Sequence, residues 1–307
     1  MCFKHIYTIM KSLFNGTGVA IVTPFKNNKV DYEAFGNLIK ETISKGAKAI
    51  IVLGTTGEGV SVSPYERKII ISYAKQEIHG KAKLIVGTGN NNFEQCMQNT
   101  QMAKNLGADG VLVVTPYYNK TTQNGLIEYY TQLSTIGIPI IMYNVPARTG
   151  LCIETKTVQA LVDNPMIYGI KEATCDINRI IELSKVCKNK IALYSGEDNL
   201  NYIFYCLGGN GSISVTANIC ADKVEKVFEY VQNGQYSDAL KLQNELDELN
   251  HALFVETNPI PVKTIMAEMG KIEKDVRMPL VSANEENTSL LVKLAKKLQE
   301  EKVEYIY

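Results

Sequence analysis

The sequence has no tryptophan, only three histidines, and no excess of either charge: 32 Lys and Arg residues stand against 32 Asp and Glu. With zero net charge and no basic run, nothing points to a nucleic-acid partner or an anionic membrane surface. His5, His79 and His251 cluster neither with each other nor with cysteines, so no metal site follows. A Ser-His-Asp arrangement lacks its base for the same reason. The seven cysteines (Cys2, Cys96, Cys152, Cys175, Cys187, Cys206, Cys220) are odd in number, scattered and free of CxxC pairs. They read as reduced, core-filling residues of a cytoplasmic protein. No apolar stretch reaches the ~18 residues of a membrane span. The first strand-like run ends in TPF and lacks the GxGxxG turn of a dinucleotide-binding sheet.

The opening MCFKHIYTIMKSLF is short and broken by Lys4, His5 and Lys11, which does not suit a signal peptide. Residues 1–12 read as an N-terminal extension, with Met10 an alternative start and residues 1–9 upstream of it.

What is present is a recurring unit, a β-branched run followed by a segment of helical period. The runs are GVAIVTPF (18–25), AIIVLG (49–54), KLIVGTG (83–89), GVLVVTP (110–116), IPIIMYN (138–144), IYGIKEA (167–173), IALYSG (191–196) and GSISVT (211–216). Their apolar character is nearly continuous, as in parallel strands covered on both faces. Asp31 and Ser63-Pro64 are helix-start signals, and Gly46, Gly107 and Gly137 fall where left-handed helix ends favour glycine. Eight such units over residues 13–233 predict a (β/α)8 TIM barrel rather than an open sheet. Beyond residue 233 only helical patterns remain, at 235–254, 258–269 and 287–301, which predicts a small C-terminal helical subdomain over 234–307.

In such a barrel the chemistry sits at the C-terminal ends of the strands. The residues there are Thr23, Thr55, Thr56, Glu58, Tyr117, Tyr118, Asn119, Tyr143, Asn144, Arg148, Lys171, Glu172, Gly196, Glu197, Asp198, Thr216 and Asn218. One amine, several hydroxyls and one guanidinium, without a metal-ligand cluster, suit Schiff-base chemistry, in which a lysine amine adds to a ketone. A free lysine, with a pKa near ~10.4, is protonated near neutrality. Desolvation and a nearby cation such as Arg148 are what favour the neutral amine. Taken singly, each residue has a plainer reading. Lys171 fits a solvated loop residue, the tyrosines fit packing aromatics, GTTGEG fits a tight turn and Arg148 fits a surface charge. A phosphate site after strands 7 and 8 is opposed by Glu197 and Asp198.

Five motifs taken together narrow this. GTTGE (54–58), TPYYN (115–119), YNVPARTG (143–150), GIKEAT (169–174) and NPIPVK (258–263) resemble the pyruvate-dependent class I aldolases and lyases of the dihydrodipicolinate synthase type, over about residues 13–300. The resemblance implies that Lys171 forms the Schiff base with pyruvate. Tyr143 then relays protons with Thr55 and Tyr118, the latter reaching into a neighbouring subunit. It further implies that Thr56 holds the pyruvate carboxylate, that Arg148 receives the carboxylate of the second substrate, and that Gly196 and Ile213 line the pocket through main-chain atoms. No metal or separate cofactor is implied. The partners are pyruvate, L-aspartate 4-semialdehyde and copies of the chain itself, as a homotetramer built from two dimers. The implied product is 4-hydroxy-tetrahydrodipicolinate, on the way to diaminopimelate and lysine. Sugar-acid lyases of the same superfamily are the alternative. The Thr-Thr pair and Arg148 favour the synthases. Where lysine-inhibited members carry histidine and glutamate in an interface pocket, this chain has Pro64, Arg67 and Gln95, although Asn91 and Tyr117 match. Feedback inhibition by lysine is therefore expected to be weak or absent.

Overall fold

The computed structural model describes residues 10–304. The expectation about residues 1–9 lies outside the described residues. Eight parallel strands form a closed barrel: β1 Gly16–Ala20, β2 Ala49–Val52, β3 Lys83–Gly87, β4 Gly110–Val114, β5 Ile140–Asn144, β6 Ile167–Glu172, β7 Ala192–Ser195 and β8 Gly211–Ser214. Each pairs with the next in sequence, and β8 closes onto β1 through Gly16↔Gly211 and Gly18↔Ile213.

The unbroken apolar runs have a direct cause. Each strand feeds two cores. Ala49, Ile51, Ile85, Leu112, Ile141, Tyr194 and Ile213 fill the barrel interior, while Ile50, Val52, Leu84, Val86, Val111 and Ile140 pack outward against the helices. Both faces lose water, so neither can be polar. Phe14, just before β1, enters the interior from the N-terminal side and stacks on Tyr194 at 4.5 Å. The Tyr194 hydroxyl donates to the Phe14 carbonyl at 2.8 Å, so this end is plugged. Lys11 already bridges to Ile191 and donates to the carbonyls of Val162 and Asn164.

The helix starts follow the sequence signals. Asp31 accepts from the Ala34 amide at 3.0 Å, and Ser63 and Glu66 form a reciprocal capping box around Pro64. After the helix Ala217–Gln232 come Tyr236–Glu245, Asp247–Ala252, Ile260–Glu268 and Glu285–Glu304. The expected helix at 235–254 is thus two helices meeting at Leu246. These C-terminal helices bring the loop 254–258 over the mouth of the barrel.

Candidate active site

Lys171 and Glu172, adjacent at the end of β6, face opposite ways because side chains alternate along a strand. Lys171 stands in register with Tyr143 of β5 and Tyr194 of β7. It is 5% exposed, and its Nζ lies 4.5 Å from the centre of the Tyr143 ring. Glu172 points into the outer layer, fully buried. It accepts from Arg179 Nε at 2.8 Å, from Asn144 Nδ2 at 2.9 Å and from the Thr174 amide at 2.9 Å. Its charge is met by Arg179 and plays no part inside the barrel. Room for the lysine stem comes from Gly196: a Cβ there would sit 2.7 Å from Lys171 Cε and 2.9 Å from Ala173 Cβ.

A cavity of about 470 Å³ at the barrel mouth is lined by Thr55, Thr56, Tyr143, Arg148, Lys171 and Gly196, together with Glu197 and Asn258. Six of the eight sequence-predicted site residues therefore meet in one space. Ile213 lies in the interior packing and is 1% exposed. Tyr118 is elsewhere: it is 90% exposed and holds a left-handed backbone, φ +68°, a conformation that costs a non-glycine residue energy. A second cavity of about 530 Å³ adjoins the first, sharing Thr55, Tyr143 and Arg148, and extends to Pro64, Arg67, Gln95 and Tyr117.

The loop after β2 carries the two threonines and is tied down twice to the C-terminal region. Asn258 Nδ2 donates to Thr56 Oγ1 at 3.0 Å, and Lys263 pairs with Glu58 at 2.5 Å. Arg148 Nη2 donates to the main-chain carbonyl of Asn258 at 3.1 Å. Glu58 itself is left-handed, φ +49°. Gly59 follows it without alternative, since a Cβ there would lie 2.1 Å from the Leu53 carbonyl oxygen. Burial and the neighbouring Asp198 carboxylate push the Glu197 carboxyl up from its ordinary value.

The arrangement puts a lysine amine beside a phenol, next to hydroxyls and a guanidinium, in a small desolvated space. Among the described residues no group of three His, Cys, Asp or Glu could hold a metal ion. The profile of the Dihydrodipicolinate synthetase family matches residues 13–298. The chain belongs to that family. A 4-hydroxy-tetrahydrodipicolinate synthase of Thermodesulfovibrio yellowstonii is 44% identical, over 92% of this chain and 97% of its own. The crystal structure of dihydrodipicolinate synthase from Thermotoga maritima superposes with a TM-score of 0.91 at 39% identity, covering 94% of this chain and 99% of that one. A monomeric dihydrodipicolinate synthase variant superposes with a TM-score of 0.92 at 39% identity, covering 94% and 97%.

In this dihydrodipicolinate synthetase family member, reading strand ends missed two residues that structure places beside the threonines. Asn258 and Lys263 sit within NPIPVK (258–263), which lies at no strand end. Both lie more than 200 positions from the loop they hold, so no local periodicity could reveal them. A buried lysine in an apolar helix such as Ile260–Glu268 was the available signal. Other polar strand-end residues turn out to be structural. Asn218 accepts from the Val22 amide and donates to the Ala20 carbonyl, and Asp198 accepts from the amides of Val215 and Thr216.

Proposed function

We propose that the protein condenses pyruvate with L-aspartate 4-semialdehyde to 4-hydroxy-tetrahydrodipicolinate, in the diaminopimelate and lysine pathway. The observation that carries this is the near-complete burial of Lys171 against the Tyr143 ring, inside a cavity that also presents Thr55, Thr56 and Arg148.

The chemistry follows from those groups. Neutral Lys171 Nζ attacks the ketone carbon of pyruvate, and the carbinolamine loses water to give an imine. The protonated imine draws electrons from the methyl group, which loses a proton to form an enamine. The enamine carbon attacks the aldehyde of the second substrate. That substrate's own amine then displaces Lys171 in closing the ring, which frees the enzyme. Each step moves a proton, and hydroxyls that both donate and accept can carry it. In this reading Tyr143, Thr55 and Tyr118 form the relay. Thr56 holds the pyruvate carboxylate, and Arg148 binds the second carboxylate through its planar fork. In the same reading Gly196 and Ile213 offer main-chain atoms to the pocket. The electron sink is the iminium on Lys171, so no metal or organic cofactor enters the scheme.

Tyr118 completes the relay only from another subunit. Its near-full exposure on a left-handed backbone supports that reading. The proposed assembly is a homotetramer made of two such dimers. None of the six described cysteines is in a disulfide, which fits a cytoplasmic location. A sugar-acid lyase is disfavoured by the synthase names of the relatives and by Arg148 at the cavity wall.

Borohydride reduction in the presence of pyruvate tests the mechanism. A pyruvate-derived mass is expected on Lys171; no adduct, or one on a different lysine, overturns it. A coupled assay tests the second substrate. Turnover with a keto-sugar acid but none with aspartate semialdehyde would sink the synthase reading.

A further inference from the structure

We infer that Asn258 is a positioning residue for pyruvate, aiming the hydroxyl hydrogen of Thr56 into the cavity. This rests on the role proposed above for Thr56.

A threonine hydroxyl has one hydrogen to donate and two lone pairs to accept with. Asn258 Nδ2, an N–H donor, lies 3.0 Å from Thr56 Oγ1 and takes one of those lone pairs. The amide nitrogen cannot accept in return. The Thr56 hydrogen is therefore left for another acceptor, and Thr56 stands on the wall of the cavity that holds Lys171. A carboxylate is the strongest acceptor that could be offered there. Thr56 and Asn258 are only 3% and 4% exposed, so water competes little for either group. Asn258 Oδ1 is buried with no hydrogen-bond partner. The amide is thus oriented at a cost to its own satisfaction, as is common where function rather than packing sets a side chain.

Side chain and main chain of this residue serve different substrates. The side chain addresses Thr56, while the carbonyl accepts from Arg148 Nη2 at 3.1 Å. Replacing the side chain removes the first contact and leaves a carbonyl for the second. A purely structural asparagine would not separate the two substrates in this way.

The experiment measures the pyruvate concentration that gives half-maximal borohydride trapping, which needs no second substrate, and then the KM for aspartate semialdehyde at saturating pyruvate. Asn258→Ala should raise the pyruvate value by about three- to tenfold, the worth of one neutral hydrogen bond. The aldehyde KM should move by less than about twofold. Asn258→Asp keeps the shape, which guards against a folding defect, but replaces the donor with a charged acceptor beside the carboxylate subsite. It should weaken pyruvate by a further factor of about ten or more. Thr56→Val combined with Asn258→Ala should bind pyruvate no worse than Thr56→Val alone, because both act through one hydroxyl. The inference is overturned by wild-type pyruvate affinity in either Asn258 variant, by equal weakening of both substrates, or by additive effects in the double variant. If the wild-type protein itself traps no pyruvate on Lys171, the proposed function fails instead.

Discussion

The Glu58 carboxylate and the Lys263 ammonium lie 2.5 Å apart, with side chains 1% and 0% exposed. Burying two charges is costly, and only close pairing with further polar contacts repays it. Those contacts are present. Lys263 Nζ donates to the Asp275 carbonyl at 2.9 Å and stands 4.2 Å above the Phe25 ring, while Glu58 Oε2 accepts from the Arg277 amide at 2.9 Å. Burial lowers the lysine pKa, and Glu58 opposes that shift. The pair joins the loop of Thr55 and Thr56 to the helix Ile260–Glu268.

Removing one partner leaves an uncompensated buried charge. Lys263→Met should therefore cost about 3–5 kcal/mol of stability. Urea unfolding monitored by far-UV circular dichroism reads this as a lower midpoint. Adding Glu58→Gln should recover part of the loss, since no unpaired charge then remains. A single Lys263→Met variant as stable as the wild type would show that the pair does not hold the loop.

Much of the architecture is legible in the primary structure, because it rests on short-range patterns. Continuous apolar runs announce strands buried on both faces, and Asp31 and Ser63 announce helix starts. The strand-end rule then picks out Thr55, Thr56, Tyr143, Arg148, Lys171 and Gly196, which share one cavity. Alternation along β6 also explains why Lys171 faces the barrel interior and Glu172 the helices. What the rule misses is closure from afar. Where Asn258 and Lys263 dock depends on how the C-terminal helices pack across the barrel mouth, and that is a property of the whole fold. The same limit applies to Tyr118. Its place at a strand end suggests a site residue, yet its left-handed backbone turns it to the outside.

That outward position makes the proposed sharing between subunits testable by complementation. Lys171→Ala and Tyr118→Ala should each be nearly inactive. In a hybrid dimer, one site would combine an intact Lys171 with an intact Tyr118 from the other chain. Random pairing makes about half the dimers hybrid with one working site each, so mixing should restore about a quarter of wild-type activity. Co-expression with different affinity tags, followed by two-step purification, isolates the hybrid for assay. No restoration would mean that Tyr118 does not act across an interface.

Lysine should be a poor inhibitor. Arg67 lines the second cavity with Pro64, Gln95 and Tyr117 and is only 8% exposed. It is fixed by donating to the carbonyls of Gly59 at 2.7 Å and Gly87 at 2.9 Å. The acid on this wall, Glu58, is already paired with Lys263. A lysine ammonium entering here would meet a fixed cation and no free carboxylate, a mismatch that costs affinity. L-lysine in large excess over the substrates should slow the steady-state rate by less than about twofold. Half-inhibition at a lysine concentration well below that of the substrates would contradict this.

Acid should weaken the fold through Glu66. Its carboxylate takes both arms of Arg277, at 2.6 Å and 2.9 Å, and caps the Ser63 amide at 3.0 Å. Chiefly through the Arg277 hydrogen bond, its pKa falls from 4.5 to about 2, against the opposing effect of partial burial. A carboxyl with a depressed folded-state pKa binds fewer protons when folded, so its contribution is complete above the unfolded value and disappears as pH falls toward the folded one. Stability from this group should thus be full above about pH 4.5 and decline toward about pH 2. Glu66→Gln removes the titration while keeping the shape. The gap in Tm between wild type and Glu66→Gln should be largest near neutrality and shrink by more than half by about pH 3. A gap that stays constant over that range would assign the stabilisation to shape rather than to the charge on Glu66.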